Sequence, residues 1–230
     1  MLSNGGKCEV IMKRLKLIKV RKDFSLGEER ANSITHGIGM ALGIVALVLL
    51  SIKGAKSNNA LYLFSMIIYS FTLIILYANS MIYHGFPNGR VKDIFERLDH
   101  SSVYLLIAGT YTPFCLLAIG GFWGYIMCVS QWLLAIIGVV FKTIWIDKFV
   151  KLHVVIYLTM GWMIIIFSQA ILDSMDITGF ALLFAGGLSY SIGTIFYTFN
   201  LFKYHHLVWH LFVLAASICH FIAIYIYIYS

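Results

Sequence analysis

The segment SSVYLLIAGTYTPFCLLAIGGFWGYIMCVSQWLLAIIGVVF, residues 101–141, runs for 41 residues without one charged side chain. A helix that crosses the hydrocarbon core of a bilayer needs about 20 largely apolar residues. The segment is therefore too long for one crossing and fits two, and Gly120-Gly121 near its middle supplies the turn between them. Working outward, the same criterion finds Ser33–Ile52, ended by Lys53, and Ala60–His84, ended by Gly85-Phe86-Pro87-Asn88-Gly89. On the other side it finds Leu152–Leu172, Ile177–Phe202 and about Leu207–Tyr229. The expected fold is all-α, an integral membrane bundle of seven transmembrane helices.

Composition agrees. Of 230 residues, 60% are hydrophobic and only 12% are charged, and the mean hydropathy is +0.87. A soluble domain carries about 25% charged residues. So few charges cannot build a polar shell, and lipid must replace part of the water. Four cysteines, Cys8, Cys115, Cys128 and Cys219, show no C-x-x-C spacing, so neither a disulfide framework nor a cysteine metal site is expected. The first thirty residues lack an uninterrupted apolar core with a small-residue cleavage site, so the first spanning helix is expected to act as an uncleaved insertion signal.

Charge sets the expected orientation. Eight basic residues precede Asn32: Lys7, Lys13, Arg14, Lys16, Lys19, Arg21, Lys22 and Arg30. Arg90, Lys92 and Arg97 lie between helices 2 and 3. Lys142, Lys148 and Lys151 flank the helix 4–5 connection, and Lys203 precedes helix 7. With the N-terminus in the cytoplasm and the C-terminus outside, these fifteen lie inside and only Lys53 and Lys56 lie outside, as the positive-inside rule requires. The net charge of +7 thus reads as a topology signal and an attraction to anionic headgroups, not as a nucleic-acid surface. Residues 1–27 form a basic cytoplasmic arm, and residues 28–230 the transmembrane domain. Within the arm, Ile11, Leu15 and Ile18 share one helical face among lysines, as an interfacial helix would. Gly39-x-x-x-Gly43 and Ser189-x-x-x-Gly193 should let helices approach closely. Pro113 should free the carbonyl of Gly109 and kink helix 3.

Ionisable groups inside such helices are costly and mark function. His206 and His210, four residues apart, project to one side of helix 7, about 6 Å apart along its axis; helices present two nitrogens to one metal ion at this spacing. His205 and His220 fall off that face and are not expected as ligands. Ser80 and His84 are also four apart, at the end of helix 2, and Asp99 and His100 open helix 3. The topology sets His84, Asp99, His206 and His210 at one depth near the inner leaflet. Three imidazoles, an open position and a nearby carboxylate match a catalytic zinc site. Asp99 would act as base or orient a histidine, and Ser80 would orient a histidine or stabilise a developing oxyanion. The plainer alternative is a set of interfacial histidines, an aspartate N-cap at Asp99 and a hydroxyl bonded back to its own helix at Ser80. Glu29, Asn32 and His36 share a face at the start of helix 1 and are possible pocket members, as is His100, although the glutamate could favour a helix N-terminus and Asn32 could be a cap. His153, beside Lys151, is expected at the interface.

Several motifs in order resemble the progestin and adipoQ receptor superfamily, and its bacterial hemolysin III branch in particular. They are Glu28-Glu29-x-x-Asn32-x-x-Thr35-His36-Gly37, Ser80-x-x-x-His84, Leu98-Asp99-His100-Ser101, Ala108-Gly109-Thr110-Tyr111-Thr112-Pro113-Phe114, His206-x-x-x-His210 and Trp209-His210-Leu211-Phe212-Val213-Leu214-Ala215. The likeness runs from about Glu28 to Phe221. It implies a seven-helix bundle in the cell membrane with zinc near the cytoplasmic face, His84, His206 and His210 as ligands, Asp99 holding the metal-bound water, and Ser80 as polar partner. The superfamily includes alkaline ceramidases, so hydrolysis of a lipid amide is one expected function, with membrane lipids as partners and a role in membrane fluidity. A pore-forming cytolysin and a non-catalytic sensor of the bilayer with a structural zinc are the other two. The receptor branch's long folded N-terminal region is missing, which leaves hormone reception without support.

Overall fold

The computed structural model describes residues 24–146 and 148–228. Among them lie seven helices long and apolar enough to cross a membrane, and no strand. They are α1 (Leu26–Lys56), α2 (Ala60–Gly85), α3 (Arg90–Ile119), α4 (Gly121–Ile144), α5 (Val150–Ser174), α6 (Ile177–Thr198) and α7 (His205–Tyr227). The basic arm expected over residues 1–27 falls largely outside the described residues, as does the face of Ile11, Leu15 and Ile18.

The count of seven stands, and α2 and α6 start where hydropathy places them, but α1 and α3 start well before the expected residues. α1 begins at a capping box: Ser25 accepts from the backbone of Glu28, whose carboxylate reaches back to the Ser25 amide at 2.9 Å. Asn32 therefore lies inside the helix and caps nothing. α3 begins at Arg90, so Asp99 sits more than two turns into it and is not an N-cap. The first turns of α3 are charged, which hides them from a hydropathy reading, yet Lys92, Glu96 and Asp99 are all buried. Their spacing of four and three puts them on one face. At the opposite polarity, Asp176 caps α6 by accepting from the Thr178 amide at 2.7 Å, and those bonds hold its carboxyl below the usual range.

The turn at Gly120-Gly121 uses φ of +64° and +54°, a left-handed conformation open to glycine without a Cβ penalty. Pro113 closes the α-helical part of α3, and the chain continues as π-helix over Phe114–Ile119. Proline has no N–H to continue the regular i−4 ladder, and the chain goes on in the wider turn from there. α5 is also interrupted, by a 3-10 stretch over Met163–Phe167. There the Tyr111 hydroxyl donates to the Gly161 carbonyl at 2.8 Å and accepts from the Ile164 amide at 2.7 Å, satisfying the backbone that the break exposes.

Small residues carry the packing. A Cβ at Gly39 would lie 2.5 Å from the Tyr77 ring, and one at Gly109 would overlap the Thr72 side chain. α1 and α3 therefore rest directly on α2. Ser189 donates to the Phe212 carbonyl at 2.9 Å, and a Cβ at Gly193 would meet Phe212 and Trp209, so α6 sits as closely on α7. The main core, including Tyr62, Tyr69, Leu73, Tyr77, Val213 and Ile224, lies where α2 meets α7. At the far end Lys53 donates to the carbonyls of Tyr225 and Ile228, tying α1 to the last turn of α7.

His153 departs from expectation. It is fully buried, not exposed at an interface: its Nδ1 lies 2.7 Å from the Tyr104 hydroxyl. Lys142, read as a flanking charge, is likewise within α4 and fully buried, donating to the Ile146 carbonyl at 3.0 Å. A lysine near a helix end can bend its head onto the orphan carbonyls there.

Candidate metal centre

Three helices deliver imidazoles or their partners to one point at the end of the bundle where α1, α3, α5 and α7 begin. His84 lies in the last turn of α2, and His206 and His210 lie in the first two turns of α7. Each offers a ring nitrogen, and these nitrogens all lie within 4.8 Å of one another, with all three residues buried. Ring centroids are 5.2 Å apart for His84–His206, 5.0 Å for His84–His210 and 4.7 Å for His206–His210. Three nitrogens on a sphere of about 2.0–2.1 Å around one ion fit inside that spread after small rotations. The group could hold a metal ion.

The surroundings fit such an ion. His84 Nδ1 is 2.6 Å from Glu29 Oε2, and the other Glu29 oxygen accepts from Lys92 Nζ at 2.7 Å. A carboxylate cannot donate, so Nδ1 carries the proton and Nε2 keeps its lone pair. That Nε2 is buried without a hydrogen-bond partner, an arrangement that costs free energy unless something binds there. His210 repeats the tautomer: its Nδ1 lies 3.3 Å from the Asn32 carbonyl, which makes Nε2 the acceptor of the neutral ring. Metal-ligating histidines are ordinarily oriented in this way by a carboxylate and a backbone oxygen.

The four possible pocket residues gather here in different roles. Glu29 grips His84, and Asn32 meets His210 through its backbone. His36 stacks on His210 with centroids 3.5 Å apart and an 8° interplanar angle, and it meets Tyr77 in a T-shaped contact with centroids 5.0 Å apart. It lies outside the three-nitrogen group. His100 lines a small cavity of about 30 Å³ together with Asp99, His36, His206 and His210, room for a water molecule or two. Ser80, one turn before His84, is fully buried, and its hydroxyl has no hydrogen-bond partner, so it is not bonded back to its own helix. His205 turns away and meets the Phe196 carbonyl through Nδ1 at 2.7 Å. His220 lies elsewhere, against Leu183.

Sequence reading missed three features. Phe24 covers the open side, its ring 4.9 Å from His206 and 5.9 Å from His84; a lone aromatic at a helix entry gives no signal. The buried Lys92 and Glu96 were legible as a polar stripe with Asp99, had the start of α3 been placed correctly. The third is an apolar chamber of about 110 Å³ between α3, α5, α6 and α7. It shares Leu76, Val103, Tyr157, Thr194, Trp209 and Val213 with the small polar cavity, so the two adjoin.

Comparison with known proteins agrees with this architecture. The family model for Haemolysin-III related proteins matches residues 24–221. The chain is 43% identical over 204 residues to the Hemolysin-3 homolog of Bacillus subtilis (strain 168), covering 89% of this chain and 96% of that protein. It is 40% identical over 201 residues to Hemolysin-3 of Bacillus cereus, covering 87% and 92%. It is 30% identical over 210 residues to the human Monocyte to macrophage differentiation factor, covering 88% and 85%. A match that spans nearly the whole bundle, from the cover residue Phe24 through both turns of α7 that bear the histidines, makes this chain a multi-pass membrane protein of the haemolysin III family.

Proposed function

We propose that the protein is a zinc-dependent hydrolase of a membrane lipid, with an acyl amide as the favoured bond. The observation that carries this reading is the group His84, His206 and His210, whose nitrogens lie within 4.8 Å of one another beside a cavity that adjoins an apolar chamber. A zinc ion held by these residues would supply Lewis acidity and lower the pKa of bound water towards neutrality. Zinc suits three imidazoles with one position left open. The basic residues of the sequence support an orientation with the N-terminus and the site on the cytoplasmic side and the C-terminus outside. Residues 1–27 would then form an arm at the anionic inner leaflet, preceding the transmembrane domain of residues 28–230.

The residues have distinct tasks in this reading. The chamber takes the acyl chain, whose burial away from water favours binding. The small cavity holds the water beside Asp99. As the water oxygen adds to the acyl carbon, the Asp99 carboxylate accepts its proton and returns it to the nitrogen as the C–N bond breaks. Free fatty acid and amine are released. Ser80, whose buried hydroxyl has no hydrogen-bond partner, would stabilise the developing oxyanion. Glu29 and the Asn32 carbonyl keep His84 and His210 in the ligating tautomer. Membrane lipids are thus the partners, and altered lipid composition would account for an effect on membrane fluidity. The name hemolysin carried by the Bacillus relatives is the basis for a cytolysin reading, but the chamber between the helices is walled mostly by apolar side chains, unlike a water pore.

The test is turnover of ceramide, an N-acylethanolamine and a phospholipid by purified protein, with released fatty acid read by mass spectrometry. Release from an amide that stops on chelation and resumes with zinc is expected. Full turnover in a metal-free preparation would exclude the reading. Metal-dependent thermal stability with no product from any lipid would favour a non-catalytic sensor with a structural ion.

A further inference from the structure

The three histidines are sealed from water. His84, His206 and His210 are 2%, 5% and 1% exposed, so an ion reaches or leaves them only when part of the wall moves. The apolar chamber offers a charged, hydrated ion no favourable passage. Much of the remaining wall is built into helices. Tyr83, 4.4 Å from the His84 ring, belongs to α2, and Tyr197, 6.3 Å from the His206 ring, belongs to α6. His36, stacked on His210, belongs to α1. Phe24 differs from all of them. Its ring tilts over His206 at 31° and over His84 at 57°, yet it precedes the N-cap Ser25 and lies in no helix.

A firm anchor stands one residue further on. One Glu28 oxygen accepts from the Ser25 amide at 2.9 Å and from its hydroxyl at 2.7 Å, and the other accepts from the Tyr204 amide at 2.9 Å. Tyr204 immediately precedes α7, which carries His206 and His210. A Cβ at Gly27 would lie 2.8 Å from the Tyr204 hydroxyl, so glycine there lets the start of α1 rest against this turn. The chain is thus held at Ser25, and the half-buried Phe24 ring can swing out about that point while every helix stays intact. We infer that Phe24 is a movable cover over the aqueous mouth of the histidine cluster, and that the metal ion enters and leaves past it. This rests on the reading of the cluster as a metal centre. A cover that closes alike over the empty and the filled site slows entry and exit by the same factor and leaves the equilibrium affinity unchanged. Phe24 therefore sets the rate of metal exchange, while the three histidines set its strength.

The experiment follows transfer of zinc from the loaded full chain in nanodiscs to an excess of a coloured chelator. Phe24→Ala should release zinc about ten- to a hundredfold faster than the wild type, the population change for losing two ring contacts, with Kd unchanged in a competition titration. Phe24→Tyr keeps the ring and should stay slow. Leu26→Ala, at a neighbouring residue that is 67% exposed, should also stay slow. Equal release from the wild type and Phe24→Ala, or faster release matched by an equal weakening of Kd, would overturn the inference. A second readout needs no ion. In the metal-free chain, diethyl pyrocarbonate should acylate His84 and His206 faster in Phe24→Ala than in the wild type, as mapped by mass spectrometry; equal labelling would also overturn the inference. Neither readout involves turnover, and labelling involves no metal, so failure of the cover, of the metal site and of hydrolysis are separate results.

Discussion

The carboxylate of Glu29 on α1 accepts a hydrogen bond from His84 Nδ1 on α2 at 2.6 Å, while Lys92 of α3 holds its other oxygen at 2.7 Å. Three helices thus meet behind one imidazole and fix which nitrogen faces the cluster. An amide at position 29 weakens this hold. We predict that Glu29→Gln lowers metal affinity by about 10–100-fold, the usual effect of losing such a supporting group. Lys92 is almost fully buried, and an unpaired buried charge is strongly destabilising. The double variant Glu29→Gln, Lys92→Met removes that complication and should bind metal as weakly as the single one. Competition with a zinc chelator gives the numbers; unchanged affinity in both would show that Glu29 does not orient His84.

Asp99 separates metal binding from chemistry. It lines the small cavity and lies outside the three-nitrogen group. Asp99→Asn keeps the shape and loses the base. The expected result is wild-type zinc content with lipid-amide turnover reduced by about 10²–10⁴-fold, the range for a general base. Loss of zinc together with activity would instead make Asp99 a ligand.

The α2–α3 contact behind the site depends on Gly109. A methyl group there would overlap Thr72, and overpacking of this kind costs about 1–3 kcal/mol. Gly109→Ala should therefore lower the Tm of the detergent-solubilised protein by several degrees. Adding Thr72→Ala removes the outer atoms of the clash and should recover part of the loss. An unchanged Tm for Gly109→Ala would mean that α3 is not held against α2 as described.

Helix number and the shared depth of His84, Asp99, His206 and His210 were legible in the sequence. Hydropathy and the alternation of helix direction need no tertiary information. Lateral neighbours were not legible, because periodicity gives the face of a helix but not what that face meets. Glu29, Asn32 and His36 illustrate the point: one helical face, read from spacing, delivers a carboxylate to His84, a backbone oxygen to His210 and a stacking ring to His210. His153 was misplaced, and the burial of Lys142 missed, for a related reason. A charge near a helix end looks interfacial until a partner, here the Tyr104 hydroxyl or the Ile146 carbonyl, accounts for its burial. The start of α3 was hidden because Lys92 and Glu96 are buried within the bundle, a situation hydropathy counts against a span.

The proposed function requires imidazoles from α2 and α7 to grip one ion. Elemental analysis of the purified protein, without added metal, tests it most directly. About one zinc per chain is predicted for the wild type, as expected for a single three-histidine site, with near-complete loss in His84→Ala and in His210→Ala but not in His205→Ala. A chain that carries no stoichiometric metal, or one whose metal content survives both ligand substitutions, would contradict the account.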